Sequence, residues 1–256
     1  MTLKLIACEV FFREICLCAA TAPHRIDVEY TEKNAHERSD QLRAMVQQKI
    51  DAAEAGALRY DAILLGFGLC GNGVLGVGAR NTKVVLPRAH DCCTIFLGSR
   101  TAFTEHFKDN PSLPFSSVGY MERGTSWIHD ASTVYVPGVS SNLQDYTDKY
   151  GEENARFIME SLGVSQAQAL SDRRDDRVVF IDEPSFAHLG YAEKAEAEAR
   201  RMGKRFVKLP GNTRLIRGLL NGQWDDEDYL VLEPGQVVGG VYDWDRIVKA
   251  EQRPEG

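Results

Sequence analysis

Apolar residues in this chain fall into short unbroken runs, separated by longer stretches in which they recur every three or four positions. Residues 62–65 and, after Lys83, the rest of 83–86 are continuous apolar runs of the kind that suits strands covered on both faces of a parallel sheet, and residues 3–7, apolar but for Lys4, read as a short buried strand. Residues 25–30 alternate Ile26 and Val28 with polar neighbours, which predicts another strand. In residues 34–56, Leu42, Met45, Val46, Ile50 and Ala53 lie on one helical face, and Gly56 supplies a stop. A short helical segment between the first two strands, and another after the glycines near residue 70, complete an expected order of β-α-β-α-β-α-β.

Beyond residue 92 the pattern predicts a helix over 93–107, broken at Asn110-Pro111, and a strand over 118–120 that enters the loop at Gly124. Helices are then expected over 142–162, a strand over 177–181, a charged alanine-rich helix over 191–202, a strand over 205–209, a helix over 214–220 after Asn212-Thr213, and a last strand over 229–232. The second half thus repeats the first in kind. The fold class read from this order is α/β, with two Rossmann-like parallel-sheet lobes, residues 1–140 and 141–256, sharing an interface and enclosing a cleft.

Length and charge narrow the functions. A chain of 256 residues with 43% apolar residues builds a full core, and a net charge of −7 lacks the basic footprint that phosphate-backbone binding requires. Nucleic acid is therefore not an expected partner; small molecules and proteins are. Glu9, Arg13 and Glu14 interrupt what would otherwise resemble the core of a signal peptide, and no uncharged apolar run approaches the roughly 20 residues that span a bilayer. The expected setting is the cytoplasm, away from membranes. Six cysteines without a secretory signal are then expected as reduced thiols.

Three of those thiols share a topological position. Cys8 follows the first strand, Cys70 lies in the Gly-rich loop after the strand at 62–65, and Cys92 ends the Pro87-Arg88-Ala89-His90-Asp91-Cys92 segment after the strand at 83–86. Ligands of open parallel sheets bind beyond the carboxyl ends of the strands, where such loops converge. Cys8, Cys70 and Cys92 are thus the candidate metal ligands. With His90 they would make a Cys3His set that zinc accepts, and the three alone could hold an iron-sulfur cluster with one iron open. Spacing does not choose between them. Cys93 is a reserve candidate, whereas Cys16 and Cys18 are read as structural. Arg88, His90 and Asp91 place a cation, an imidazole and a carboxylate within four positions, and are the candidates for orienting a ligand or moving protons.

Gly66-Phe67-Gly68-Leu69-Cys70-Gly71 also matches the GxGxxG fingerprint, and Asp91 lies 20 residues beyond its last glycine. Gly68, Gly71 and Gly73 are accordingly candidate cofactor-binding residues. On that alternative the chain is a nucleotide- or small-molecule-binding oxidoreductase with a redox cysteine. The motif follows the third strand instead of the first, which departs from the dinucleotide-binding pattern.

Gly-Leu-Cys-Gly-Asn-Gly at 68–73, Pro-Arg-Ala-His-Asp-Cys at 87–92 and Ala7-Cys8 together resemble the domain of unknown function 1638 family over nearly the whole chain. The resemblance implies a supporting role in corrinoid-dependent methyl transfer, such as methionine synthesis or corrinoid reactivation, with a corrinoid protein or methyltransferase as partner. A low-potential cluster would return oxidised cobalt to Co(I), and thiolate-bound zinc would activate a thiol for methylation. Cys93 beside Cys92 departs from the family pattern. A third reading is a non-catalytic module that docks a corrinoid protein.

Overall fold

A computed structural model describes residues 1–32, 39–110, 113–123, 176–241, 243 and 245–253. Its main sheet contains β1 (Thr2–Cys8), β2 (Arg25–Thr31), β3 (Ala62–Gly66), β4 (Val84–Pro87) and β8 (Tyr229–Leu232), in the order β2-β1-β3-β4-β8. The first four are parallel; β8 runs antiparallel along β4, with Leu232 opposite Val84 and Tyr229 opposite Pro87. A second, fully parallel sheet contains β5 (Phe115–Ser117), β6 (Arg177–Asp182) and β7 (Arg205–Pro210) in the order β5-β6-β7. The protein is a mixed α/β fold built on one mainly parallel sheet and one fully parallel sheet.

Strand pairing cuts across a division at residue 140. β5 joins β6 in the second sheet, and β8 returns to close an edge of the first. The reason is the core. Leu5, Leu64 and Val85 of the main sheet share one buried cluster with Val179, Ile181 and Leu209 of the second, and Ile15 and Cys18 of α1 (Phe12–Ala19) belong to that same cluster. Such a shared interior removes more apolar surface from water than two separate small cores would. On the opposite face of the main sheet, Leu42, Val46 and Ile50 of α2 (Ser39–Ala55) cover Ile6, Ile63 and Leu65.

Four local expectations change. No helix joins β3 to β4: residues 70–76 form successive turns, because Cys70, Gly71 and Asn72 all take left-handed backbone angles, with φ of 46°, 61° and 70°. The helix expected over 93–107 is two, α3 (Cys92–Leu97) and α4 (Arg100–Phe107), because left-handed Gly98 ends the first and Ser99 caps the second by accepting from the Ala102 amide. The strand expected over 118–120 is α5 (Val118–Glu122), capped by Ser117, with β5 immediately before it. Beyond α6 (Tyr191–Arg201) and α7 (Arg214–Leu220), the chain ends in an antiparallel pair that periodicity did not reveal, β9 (Gln236–Gly240) and β10 (Val248–Gln252). The helices expected over 142–162 lie outside the described residues. Among the described residues no helix is long and apolar enough to cross a membrane.

Candidate functional site

The carboxyl ends of β1, β3 and β4 form the site. Cys8 is the last residue of β1, and Cys92 is the first of α3. The loops carrying Cys70 and Cys92 are joined by main-chain hydrogen bonds: Leu69 N–H donates to Ala89 O at 2.8 Å and Cys70 N–H to His90 O at 3.0 Å. Gly68 makes this contact possible, since a Cβ there would lie 2.7 Å from both Asp91 Cα and Asp91 N. Gly73 has a similar role, with its absent Cβ directed at Leu42 Cδ2, 2.6 Å away. Gly68 therefore serves packing of backbone on backbone, and Gly73 packing of backbone on the Leu42 side chain. The turns that follow offer no helix N-terminus of the kind a dinucleotide pyrophosphate occupies.

The three sulfurs share one electrostatic environment. Burial pushes the Cys70 and Cys92 thiols above their ordinary range, the neighbouring Asp91 carboxylate and Cys8 push both further, and Cys70 adds to the rise of Cys92. Backbone N–H groups of Gly68 and Cys92 act in the opposite direction on Cys70. Asp91 caps α3 by accepting from the Thr94 amide at 3.2 Å, and burial raises its carboxyl to about 6. Cys8, Cys70 and Cys92 retain partial solvent contact, while Cys93 and Cys18 are buried and Cys16 is exposed.

Tyr120, which sequence reasoning missed, completes the cluster. Its hydroxyl lies 2.8 Å from the Cys92 sulfur, and its phenol is raised by burial and then by Cys92. Nothing local in the sequence signals this, because Tyr120 arrives from α5, beside the second sheet.

His90 and Arg88 turn away from the sulfurs. The His90 ring lies 5.4 Å from the Phe103 ring of α4, and burial and Arg100 lower its pKa against the pull of Asp243. Arg88, 4% exposed, donates through Nε to Asp226 O at 2.9 Å, through Nη2 to Asp226 Oδ1 at 2.7 Å, and through Nη1 to Arg246 O at 3.1 Å and to Val248 O. Its guanidinium ties β4 to the chain before β8 and to β10. A shallow cleft of about 330 Å³ adjoins it, lined also by Arg100, Glu227 and Asp245. Arg88→Met, which keeps the stem but leaves the buried Val248 carbonyl and the part-buried Asp226 and Arg246 carbonyls unpaired, is expected to cost about 3 kcal/mol of stability by urea denaturation.

Three thiols, a carboxylate and a phenol at the carboxyl edge of a parallel sheet define a cysteine-site α/β protein. The family model described as "Protein of unknown function (DUF1638)" matches residues 30–220, and the chain belongs to that family. No curated protein and no solved structure matches it. The matched span contains Cys70, Cys92 and Tyr120 and begins after Cys8. Among the described residues no three His, Cys, Asp or Glu side chains already stand as a metal-binding group. The donor types nevertheless suit a thiophilic metal, and rotation about χ1 alone redirects a cysteine sulfur.

Proposed function

We propose that the chain holds a thiophilic metal, zinc or an iron-sulfur cluster, on Cys8, Cys70 and Cys92, and through it supports corrinoid-dependent methyl transfer in the reducing cytoplasm. In this reading the two sheets act as Rossmann-like lobes about a cleft, and a corrinoid protein or methyltransferase is the partner. The observation that carries the metal is the mutual electrostatic burden of the three sulfurs and Asp91. Asp91 and Cys8 raise Cys70, Asp91, Cys70 and Cys8 raise Cys92, and a bound cation would reverse that balance by deprotonating coordinating thiols. The methyl-transfer setting is supported by the resemblance to a family found beside corrinoid methyltransferases. Bound metal would supply either a low-potential electron or Lewis-acid activation of a thiol.

Metal and acid-labile sulfide are to be measured in anaerobically purified protein, and again in a variant carrying Cys8→Ala, Cys70→Ala and Cys92→Ala. The expected result is about one zinc or one cluster per chain, lost in the variant. Absence of metal from the wild-type protein, after reconstitution with either metal, sinks the proposal.

A further inference from the structure

Tyr120 is held at the cysteine site more tightly than apolar packing alone requires. A Cβ on Gly119 would lie 1.7 Å from the Val10 carbonyl oxygen, so the backbone of α5 rests directly on the turn that follows Cys8. Ser117 Oγ accepts from the Tyr120 amide at 3.4 Å. The ring packs against Phe115 at 5.3 Å and Phe96 at 6.1 Å, the latter on the same helix as Cys92. These contacts fix the ring from three elements and leave the hydroxyl 2.8 Å from sulfur. Tyr120 itself is 8% exposed, so water contributes little to satisfying that hydroxyl.

We infer that Tyr120 is a positioning residue of the metal site, donating its phenolic hydrogen to the Cys92 sulfur and holding that sulfur as a ligand. The inference rests on the metal reading above and adds a specific role to it. In the thiol form either atom can donate. A metal-bound thiolate has no hydrogen, so only the phenol can. Metal binding therefore fixes the direction of the bond and makes it charge-assisted, which shortens and strengthens it. A donor on a thiolate draws electron density from the sulfur lone pairs, the same lone pairs that give charge-transfer absorption when a metal with an open d shell is bound. Outer partners of this kind orient ligands, and their loss typically lowers metal affinity about 10- to 100-fold.

Cobalt(II) is the probe, because its thiolate charge-transfer band reports sulfur electron density directly. Wild-type protein, Tyr120→Phe, and a protein with 3-fluorotyrosine at position 120 are titrated with Co(II) under anaerobic conditions. Chelator competition gives the affinity, and far-ultraviolet circular dichroism confirms that each protein is folded. Phenylalanine keeps the ring and removes the donor: the band should move to longer wavelength and affinity fall about tenfold. The fluorinated phenol is a stronger donor of the same shape, and should move the band to shorter wavelength. An unchanged band and affinity in both substituted proteins overturns the role of Tyr120 while leaving the metal reading standing. No charge-transfer band in the wild-type protein overturns the zinc form of the metal reading, and the role of Tyr120 with it.

Discussion

Stability of the wild-type protein is expected to fall more steeply between about pH 4.5 and 7 than that of Glu14→Gln, the difference reaching about 3 kcal/mol. Glu14 lies on α1, 4% exposed, and its Oε2 has no hydrogen-bond partner among the described residues. Burial raises its carboxyl from 4.5 to about 7. Glu183, following β6, and Glu122, ending α5, add to the rise; Arg13 opposes it but is engaged by Glu122 through two bonds of 2.8 and 2.7 Å. Tyr30 of β2 and Cys18 of α1 also feel the charge. With the folded pKa above the unfolded one, the folded chain binds more protons in that window, so stability is lost as pH rises through it and levels off above the folded value. Urea titrations at several pH values measure the effect as the gap between two curves, independent of any constant offset from the amide. Parallel curves for the two proteins would show that Glu14 ionises normally in the folded state.

Gly119→Ala is expected to cost about 3 kcal/mol or more, at the severe end for overpacking. The obstacle is the Val10 carbonyl, oxygen at 1.7 Å and carbon at 2.8 Å, which is backbone and has no rotamer to adopt. Relief requires α5 to lift from the turn after Cys8, carrying Tyr120 off Cys92. Gly56→Ala is the control: its Cβ meets only Ala52 O and Ala53 O at 3.5 Å, ordinary contact distance, and should change stability by less than about 1 kcal/mol. Thermal and urea unfolding of both variants check the contrast. Equal stabilities would mean that α5 is free to move.

The parts of the fold legible in the sequence were those specified by burial. β3 and β4 are buried at every position, so unbroken apolar runs betray them, and α2 shows its buried stripe at Leu42, Val46 and Ile50. The parts that escaped were decided by single caps or distant contacts. Val118 and Tyr120 have strand propensity, yet the Ser117 cap and the contact with Val10 make them helical. A helix is expected after the glycines near residue 70 because parallel strands need a crossover, but consecutive left-handed residues there cannot propagate one.

The site was legible to the same depth. Strand ends located Cys8, Cys70 and Cys92, because the topology of a parallel sheet gathers them whatever the side chains do. The directions of Arg88, His90 and Asp91 were not legible as a group. The strand ends at Pro87, and the bends that follow send Arg88 to β10 and His90 against Phe103 of α4 while Asp91 caps α3 beside the sulfurs. No periodicity in the sequence encodes directions set by such a turn.

The antiparallel β8 also sets a timetable for the newborn chain. Its partner β4 emerges about 140 residues earlier, which at roughly 5 to 20 residues per second leaves that edge uncovered for about 7 to 28 seconds on the ribosome. During that interval Val84, Val85 and Leu86 present an open row of amides and carbonyls on an apolar strand, the geometry that invites pairing with another nascent chain. Yield in a cell should then depend on translation speed through the second half of the message, with slow codons there favouring aggregation and rapid ones favouring closure.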